Sequence, residues 1–295
     1  MQNTRSSISG RIFDVVNGIF LFLLCLTIIY PFWNLFLRAF SPVEEITSLG
    51  LHIWIKKWSL NSWRYVFNSS EIGIAYLNTL HRVFFGTILT LLVTFTAAYA
   101  LSKRDLPGRS FLTICFVLTM FFTGGLVPTY LLVRRLGLMN SRWVLVLPVA
   151  LNVYYIIISR NFLMTIDQAM EDSAVIDGAG YWTVLFKIIL PLSKPVLATI
   201  GLWAAVRHWN MWFDAMIYIS DNDKMVLQLL IRKMLMILSL AMTDEMGDLL
   251  GMQEAVLPQS VQAVAILVTI GPIVFLYPFI QKHFVKGIML GSIKG

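Results

Sequence analysis

Charge is what this chain has least of. Only 13% of its 295 residues are Asp, Glu, Lys or Arg, about half the share usual in soluble domains, whereas 58% are hydrophobic. A mean hydropathy of +0.75 leaves too little polar surface to cover a soluble core, so the bilayer must be part of the solvent. Long blocks of like charge are also missing. The net charge of +7 is spread thinly between apolar runs without aromatic–basic interleaving, which excludes a nucleic-acid surface. Cysteine is nearly absent. Cys25 and Cys115 each lie inside an apolar run, where they read as small buried hydrophobes rather than a redox or metal pair. His52, His81, His208 and His283 lack metal-ligand spacing. No G-x-x-x-x-G-K followed by Ser or Thr occurs, so this chain is not expected to hydrolyse ATP or to hold a cofactor of its own.

What is present is apolar sequence in bilayer-matched lengths. About 20 apolar residues cross roughly 30 Å as a helix. Runs of that kind predict spans at residues 13–37, 83–102, 111–133, 143–160 and 256–281. A sixth, 195–220, is apolar overall but carries Arg207, His208 and Asp214, so it is expected to face other helices or a cavity. The stretch 225–242 is cut by Arg232 and Lys233 into two runs too short to cross, which predicts helices near the interface. The first run follows Arg5 and Arg11 but is too long for a signal peptide and has no cleavage site, so it reads as an uncleaved span. Trp54, Trp58, Trp63 and Tyr65 in the next loop predict a fold back onto the bilayer surface. Gly124-Gly125 before Pro128 suggests a bent or closely packed segment. Lys and Arg do not orient the chain, since eleven fall on each side of the expected spans.

The segment 161–194 is too polar at its start to cross a membrane, yet it reads as folded. Thr165 and Gln168 have capping-box spacing. Residues 168–177 lack Gly and Pro and contain good helix formers, which predicts a short helix ended by Gly178 and Gly180. A second apolar helix is expected over 181–190, running to Pro191. Helix, glycine turn and second helix make a shape suited to a groove on a partner.

Within that segment Glu171, then Asp177-Gly178-Ala179, then Ile188-x-Leu190-Pro191 resembles the EAA motif of binding-protein-dependent ABC import permeases. Glu171-Asp172-Ser173 stands where the family's pattern begins Glu-Ala-Ala, which replaces the two alanines and adds a negative charge. Other pieces resemble the maltose-transporter-like carbohydrate branch. They are Ala97, Tyr99, Ala100 and Leu101 with Pro107-Gly108-Arg109; Pro128 with Gly137-Leu138-Met139-Asn140 and Leu147-Pro148; Trp209-Asn210; and Phe284-Val285-Lys286-Gly287 with Gly291-Ser292-Ile293-Lys294-Gly295. The resemblance implies an all-α integral membrane fold of six transmembrane helices, with a cytoplasmic coupling helix between helices 4 and 5. Both termini would be cytoplasmic in a bacterial inner membrane, with a tail at 282–295. Glu171, Asp172, Ser173, Ala174, Asp177, Gly178 and Ala179 would engage an ATPase subunit. The implied partners are a second, similar permease subunit, two ATPase subunits that bind ATP and Mg, and an extracytoplasmic solute-binding protein.

A transporter needs polar groups that lipid does not touch. Asn152 and Tyr155 in the fourth span, and Arg207, Trp209, Asn210 and Asp214 in the fifth, are the candidates for a sugar pathway. Each has an equally ready role in interhelical hydrogen bonding. Arg207 and Asp214, seven residues apart, are too distant to pair along one helix, so each is expected to have another partner. Phe122–Tyr130 resembles importers of polysaccharide fragments, some of them uronic-acid oligosaccharides, and a cationic Arg207 is compatible with an acidic sugar. A secondary transporter, a permease for a non-sugar solute and a non-transporting scaffold remain the alternatives.

Overall fold

A computed structural model of the chain describes residues 8–42, 54–241, 259–272 and 274. All regular structure among them is helical. Two units are distinguished, one made of 1–69 with 234–270 and the other of 70–233 with 271–295. The tail at 282–295, with its two expected motifs, lies outside the described residues.

The first unit contains α1 (Ile8–Phe40), α2 (Asn61–Asn68) and most of α12 (Gln259–Pro272). From Ile12 to Trp33 the large apolar side chains of α1 are exposed. Cys25 is exposed with them, and Cys115 is half-buried elsewhere; both are free thiols. The expectation of two buried cysteines equated apolar with covered by protein, which fails when lipid is a solvent. The tryptophan-rich segment packs on the end of α1. Ser59 N–H donates to the Phe40 carbonyl at 2.8 Å, and Trp58 and Trp63 pack on the Phe40 ring at 5.7 and 5.2 Å. Arg38 donates to the Gln259 amide oxygen at 3.1 Å.

The second unit is organised by α3 (Ser70–Ser102). It begins well before the expected span at 83. The charge rule stopped the run at Arg82, whereas Arg82 is buried inside the helix, 1% exposed. Its place among loop cations in the orientation count is therefore corrected. One stripe of α3 repeats every four residues: Asn78, Arg82, Gly86, Thr90, Thr94 and Ala98, all buried. Residues four apart share a helix face. The facing helix, α9 (Lys194–Asn210), buries Val196, Ile200, Ala204 and His208 at the same spacing. Small residues on α3 let the two backbones approach. At Gly86 the approach is closest, since a Cβ there would lie 2.5 Å from His208 Nε2.

Three other expected spans are broken rather than continuous. Residues 111–133 become α4 (Arg109–Phe121) and α5 (Leu126–Arg135), bent by 111° where Gly125 takes φ +84°. Residues 143–160 become 3-10 turns over Arg142–Val149 and α6 (Val153–Leu163), bent by 51° after Pro148. The segment 195–220 becomes α9, a break at Met211–Trp212, and α10 (Phe213–Tyr218). Hydropathy cannot see such breaks, because neighbours that re-satisfy the freed backbone make them tolerable at membrane depth. Two helices are long and apolar enough to cross a membrane, or up to five if each bent pair counts as one span, the third such pair being Tyr181–Leu192 with Lys194–Asn210, bent by 79°, rather than α9 with α10. The expected sixth span is described only over α12.

Residues 225–242 also differ from expectation. They form one helix, α11 (Leu227–Ala241), whose start is buried in the core. Its first N–H, that of Leu227, donates to Thr79 Oγ1 at 2.9 Å, and Asn78 Nδ2 donates to the Asp223 and Met225 carbonyls at 2.8 and 2.9 Å. Arg232, read as a cut, lies 3.9 Å above the Trp212 ring. Asn140, at φ +53°, explains its place in the Gly137–Asn140 motif: its Oδ1 accepts from Ser220 and Asp221 N–H groups, closing the loop after α10.

The contact at Gly86 is testable. Gly86→Ala is expected to destabilise the detergent-solubilised protein by about 1–3 kcal/mol, since either ring or backbone must move. Adding His208→Ala should recover part of that loss. Thermal unfolding of the two single variants and the double variant checks this, and strictly additive losses would show that the two residues do not meet.

Candidate functional site

Two polar clusters stand out along α3, one within the helix and one at its C-terminal end. They are Arg82 and Lys103 and what those residues hold. Twenty-one residues of helix separate them, about 30 Å at 1.5 Å per residue.

The first cluster forms where the fifth segment breaks. Met211 closes α9 with its N–H on the Arg207 carbonyl at 3.1 Å. In a continuous helix the Met211 carbonyl would accept from Ala215 N–H, but that N–H donates to Asp214 Oδ1 at 3.0 Å. Arg82 takes the freed carbonyl, with Nη1 donating at 3.0 Å, and Nη2 pairs with Asp214 Oδ2. A buried guanidinium is thus matched to a carboxylate and to a helix end. Beside it, Arg142 Nε donates to Asn78 Oδ1 at 2.8 Å. Arg207 is half-buried on α9 and donates to the Val149 carbonyl at 3.5 Å, at another helix break.

The second cluster belongs to the loop after α6. Its helix, α7 (Gln168–Ile176), is close to the expected 168–177. The cap differs from expectation. Asp167 Oδ1 accepts from Ala169 N–H at 3.0 Å, while Thr165 Oγ1 donates to the Phe162 carbonyl, so the Thr165–Gln168 capping box is not formed. Asp167 wins because it directly precedes the helix, where a carboxylate meets free N–H groups and the positive end of the dipole. The C-terminus closes as a Schellman turn, with Ala179 N–H on the Ala174 carbonyl at 2.9 Å and Gly178 N–H on that of Val175 at 3.0 Å. Gly178 takes φ +84°, which a side chain would resist. Beyond it α8 (Tyr181–Leu192) packs Val184, Leu185 and Ile189 with Ala174 and Ala179 against Phe95, Ala98 and Leu101 of α3 and Ile156 of α6.

Glu171 is the polar link in this loop. Its carboxylate accepts from Lys103 Nζ and, at 3.3 Å, from the Tyr99 hydroxyl, and Lys103 lies 4.4 Å over the Tyr99 ring. Burial opposes the lysine charge, but the hydrogen bonds to Glu171 and Tyr99 outweigh it and hold the Lys103 ammonium above its usual range. Arg109 Nε and Arg160 Nε both donate to the Leu101 carbonyl, at 2.9 and 3.1 Å, capping the same end of α3.

The expected residues therefore separate. In the loop Glu171, Ala174 and Ala179 turn inward, while Asp172, Ser173, Asp177 and Gly178 are exposed together with Met170, Val175, Ile176, Tyr181 and Trp182. In the membrane segments Asp214 is paired with Arg82. Trp209 is buried with its ring edge-on to Tyr76 at 5.8 Å, and Tyr155 is buried beside Trp203 at 6.1 Å. Asn152 caps α6, its Oδ1 accepting from Tyr155 N–H at 3.4 Å. Asn210 is exposed and donates to the Val206 carbonyl. The separate partners expected for Arg207 and Asp214 are present, but the chain breaks between them, so they do not share a helix face. Sequence reasoning missed Arg82, Lys103 and Tyr99. The four-residue repeat Asn78, Arg82, Gly86, Thr90, Thr94 and Ala98 was the available signal, because a small-residue ridge marks a helix contact and places Arg82 on it. Among the described residues no group of three or more His, Cys, Asp or Glu is placed to hold a metal ion.

These features have counterparts in known proteins. Residues 95–290 match the family described as binding-protein-dependent transport system inner membrane component. The chain is 38% identical over 286 residues to the polygalacturonan/rhamnogalacturonan transport system permease protein YtcP of Bacillus subtilis (strain 168), covering 97% of this chain and 99% of that protein. It is 39% identical to protein LplC of the same organism, covering 100% and 98%. Among solved structures it resembles a bacterial ABC transporter involved in the import of the acidic polysaccharide alginate, with a TM-score of 0.86, 30% identity and coverage of 94% and 98%. With its all-helical fold and a family match spanning both clusters' loops and breaks from residue 95 onward, the chain belongs to the inner membrane components of binding-protein-dependent transport systems.

Proposed function

We propose that this chain forms half of the translocation pathway of an ATP-binding-cassette importer for an acidic, polysaccharide-derived oligosaccharide. The observation that carries this reading is the near full-length similarity to a permease named for polygalacturonan and rhamnogalacturonan transport, joined to the likeness to an alginate importer. Both names specify polymers rich in acidic sugars. In this reading residues 1–295 are one permease domain of six spans, three of them bent, with both termini cytoplasmic. A second permease subunit completes the pathway, two ATPase subunits bind ATP and Mg, and an extracytoplasmic binding protein delivers the sugar.

The loop 161–194 is the coupling element. Its exposed face, including Asp172, Ser173, Asp177 and Gly178 with Ile176, Tyr181 and Trp182, is the side that meets an ATPase subunit. Glu171 has a different task in this chain: it bolts α7 to the end of α3 through Lys103. Movement of α7 with its ATPase then displaces α3 as a rigid rod, and α3 carries Arg82 and the broken fifth segment further along its length. Alternating access follows if the two states differ in these contacts. Asn152, Tyr155, Arg207, Trp209, Asn210 and Asp214 belong to the pathway or its immediate support, with Asn152 and Asp214 in supporting positions.

Two measurements test this. The reconstituted transporter with its partner subunits and binding protein should take up galacturonate oligosaccharides only with ATP on the ATPase side. Uptake driven by an ion gradient without ATP would instead establish a secondary transporter. Separately, Lys103→Glu or Glu171→Lys should each lower ATP-driven uptake about tenfold or more, and the double exchange should restore most of it, as coupled charges do in a mutant cycle. Failure of the exchange to restore uptake would place the role of Glu171 on the ATPase instead.

A further inference from the structure

Arg82 and Arg207 are both cations at membrane depth, and the structure treats them differently. Arg82 is buried, and its guanidinium is closed by Asp214 and the Met211 carbonyl. Arg207 is half-buried, and among the described residues its hydrogen bonding amounts to the Val149 carbonyl at 3.5 Å, longer than the usual range. A guanidinium has five N–H donors, so most of Arg207's capacity is unspent. Asp214 is already committed to Arg82. Arg207 is thus left without a carboxylate partner among the described residues.

The open side of Arg207 cannot face hydrocarbon. Charged side chains at membrane depth face a bundle interior or a water-filled cavity. What lies beside it on the same ridge is aromatic. Trp203 is four residues earlier on α9, hence one turn away on the same face, about 5–6 Å between Cβ atoms. The Tyr154 ring lies nearly parallel to the Trp203 ring, at 6.2 Å and 25°, and is more than half exposed. Tyr155 also lies beside Trp203, at 6.1 Å, so the three rings form one cluster. An aromatic platform and an underused guanidinium are therefore one helical turn apart, about the width of a pyranose ring.

That pairing has a natural ligand class. The C–H face of a pyranose is apolar and stacks on aromatic rings, while a sugar carboxylate accepts hydrogen bonds and donates none when ionised. A guanidinium only donates, in a fork that fits a carboxylate. A neutral sugar hydroxyl would leave the charge uncompensated. We propose that Trp203, Tyr154 and Arg207 form a subsite for one uronate residue, the ring resting on Trp203 and Tyr154 and the carboxylate on Arg207. The proposal rests on the importer reading above and adds to it the residues that select the acidic sugar. Asn210, one turn beyond Arg207, spends its amide on the Val206 carbonyl and takes no part in carboxylate recognition.

The test is binding to the assembled permease–ATPase complex without the binding protein, so that delivery does not mask selection. The probes are a galacturonic acid trimer and its methyl ester, which keeps the rings and removes the charge. The wild-type complex should prefer the free acid. Arg207→Gln should lower affinity for the acid about tenfold and barely alter that for the ester, the size expected for a hydrogen bond to a charged group. Arg207→Lys should keep part of the preference, and Trp203→Leu should weaken acid and ester together. The acid-to-ester ratio does not depend on how much of a variant folds. An unchanged ratio in Arg207→Gln overturns the subsite, as does a wild-type complex that binds acid and ester equally. If ATP-driven uptake of galacturonate oligosaccharides persists in either case, the importer reading stands without it. If that uptake is absent, both fail.

Discussion

The buried pairing of Arg82 with Asp214 and the Met211 carbonyl is the constraint on which the second unit depends. An arginine in the middle of a long apolar helix is unfavourable unless its charge and its donors are met. Meeting them requires a carboxylate and a free carbonyl on a neighbouring element, and a helix break supplies both at once. The interruption at Met211–Trp212 releases the carbonyl, and the restart at Phe213 presents Asp214 beside it. The break and the arginine explain each other. Either alone would leave a buried polar group unpaired, and such a group costs more than the net worth of one hydrogen bond.

The same device recurs with less buried arginines. Arg109 and Arg160 converge on the Leu101 carbonyl at the end of α3, and Arg207 reaches the Val149 carbonyl where the fourth segment bends. Helix ends leave carbonyls without intrahelical partners, and cations near them also meet the negative end of the helix dipole. A chain with only 13% charged residues thus concentrates several of its arginines on the places where its helices stop. Arg82, counted among loop cations, is inside a helix.

Legibility of the sequence followed from which signals are local. The short helix α7 was readable, because propensity and the Gly178 turn are local properties. Its inward contact was not. Nothing near Glu171 in sequence indicates Lys103, which lies 68 residues away and meets it only because α3 and α7 are packed together. Long apolar helices were readable from hydropathy, but the bends near Gly125 and Pro148 and the break at Met211 were not, and at Val149 and Met211 the backbone carbonyl finds its partner in a distant arginine. Arg82 failed for a related reason. A charge was read as the end of a span, although a charge with a partner 132 residues away can sit within one. The ridge of small residues on α3 was visible as a four-residue repeat, and it would have placed Arg82 on the contact face without any structure.

The contrast between the two arginines also bears on how a polar pathway can exist inside an apolar chain. A group whose hydrogen bonds are complete within the protein stabilises one arrangement and has little left to offer a solute. Asp214 and Asn78 are of this kind, and Arg82 spends both terminal nitrogens within the protein, so their polarity serves architecture although Asp214 was a pathway candidate. A group left incomplete, half-exposed and flanked by aromatic rings must find its partner elsewhere, and at membrane depth that partner is neither lipid nor bulk water. Arg207 is of this kind. The Arg82–Asp214 pair is neutral and does not compete for the ligand, because Arg82 has already drawn Asp214 out of reach. The buried ion pair that fixes the broken fifth segment is thereby also what leaves Arg207 open to an anion from outside the chain.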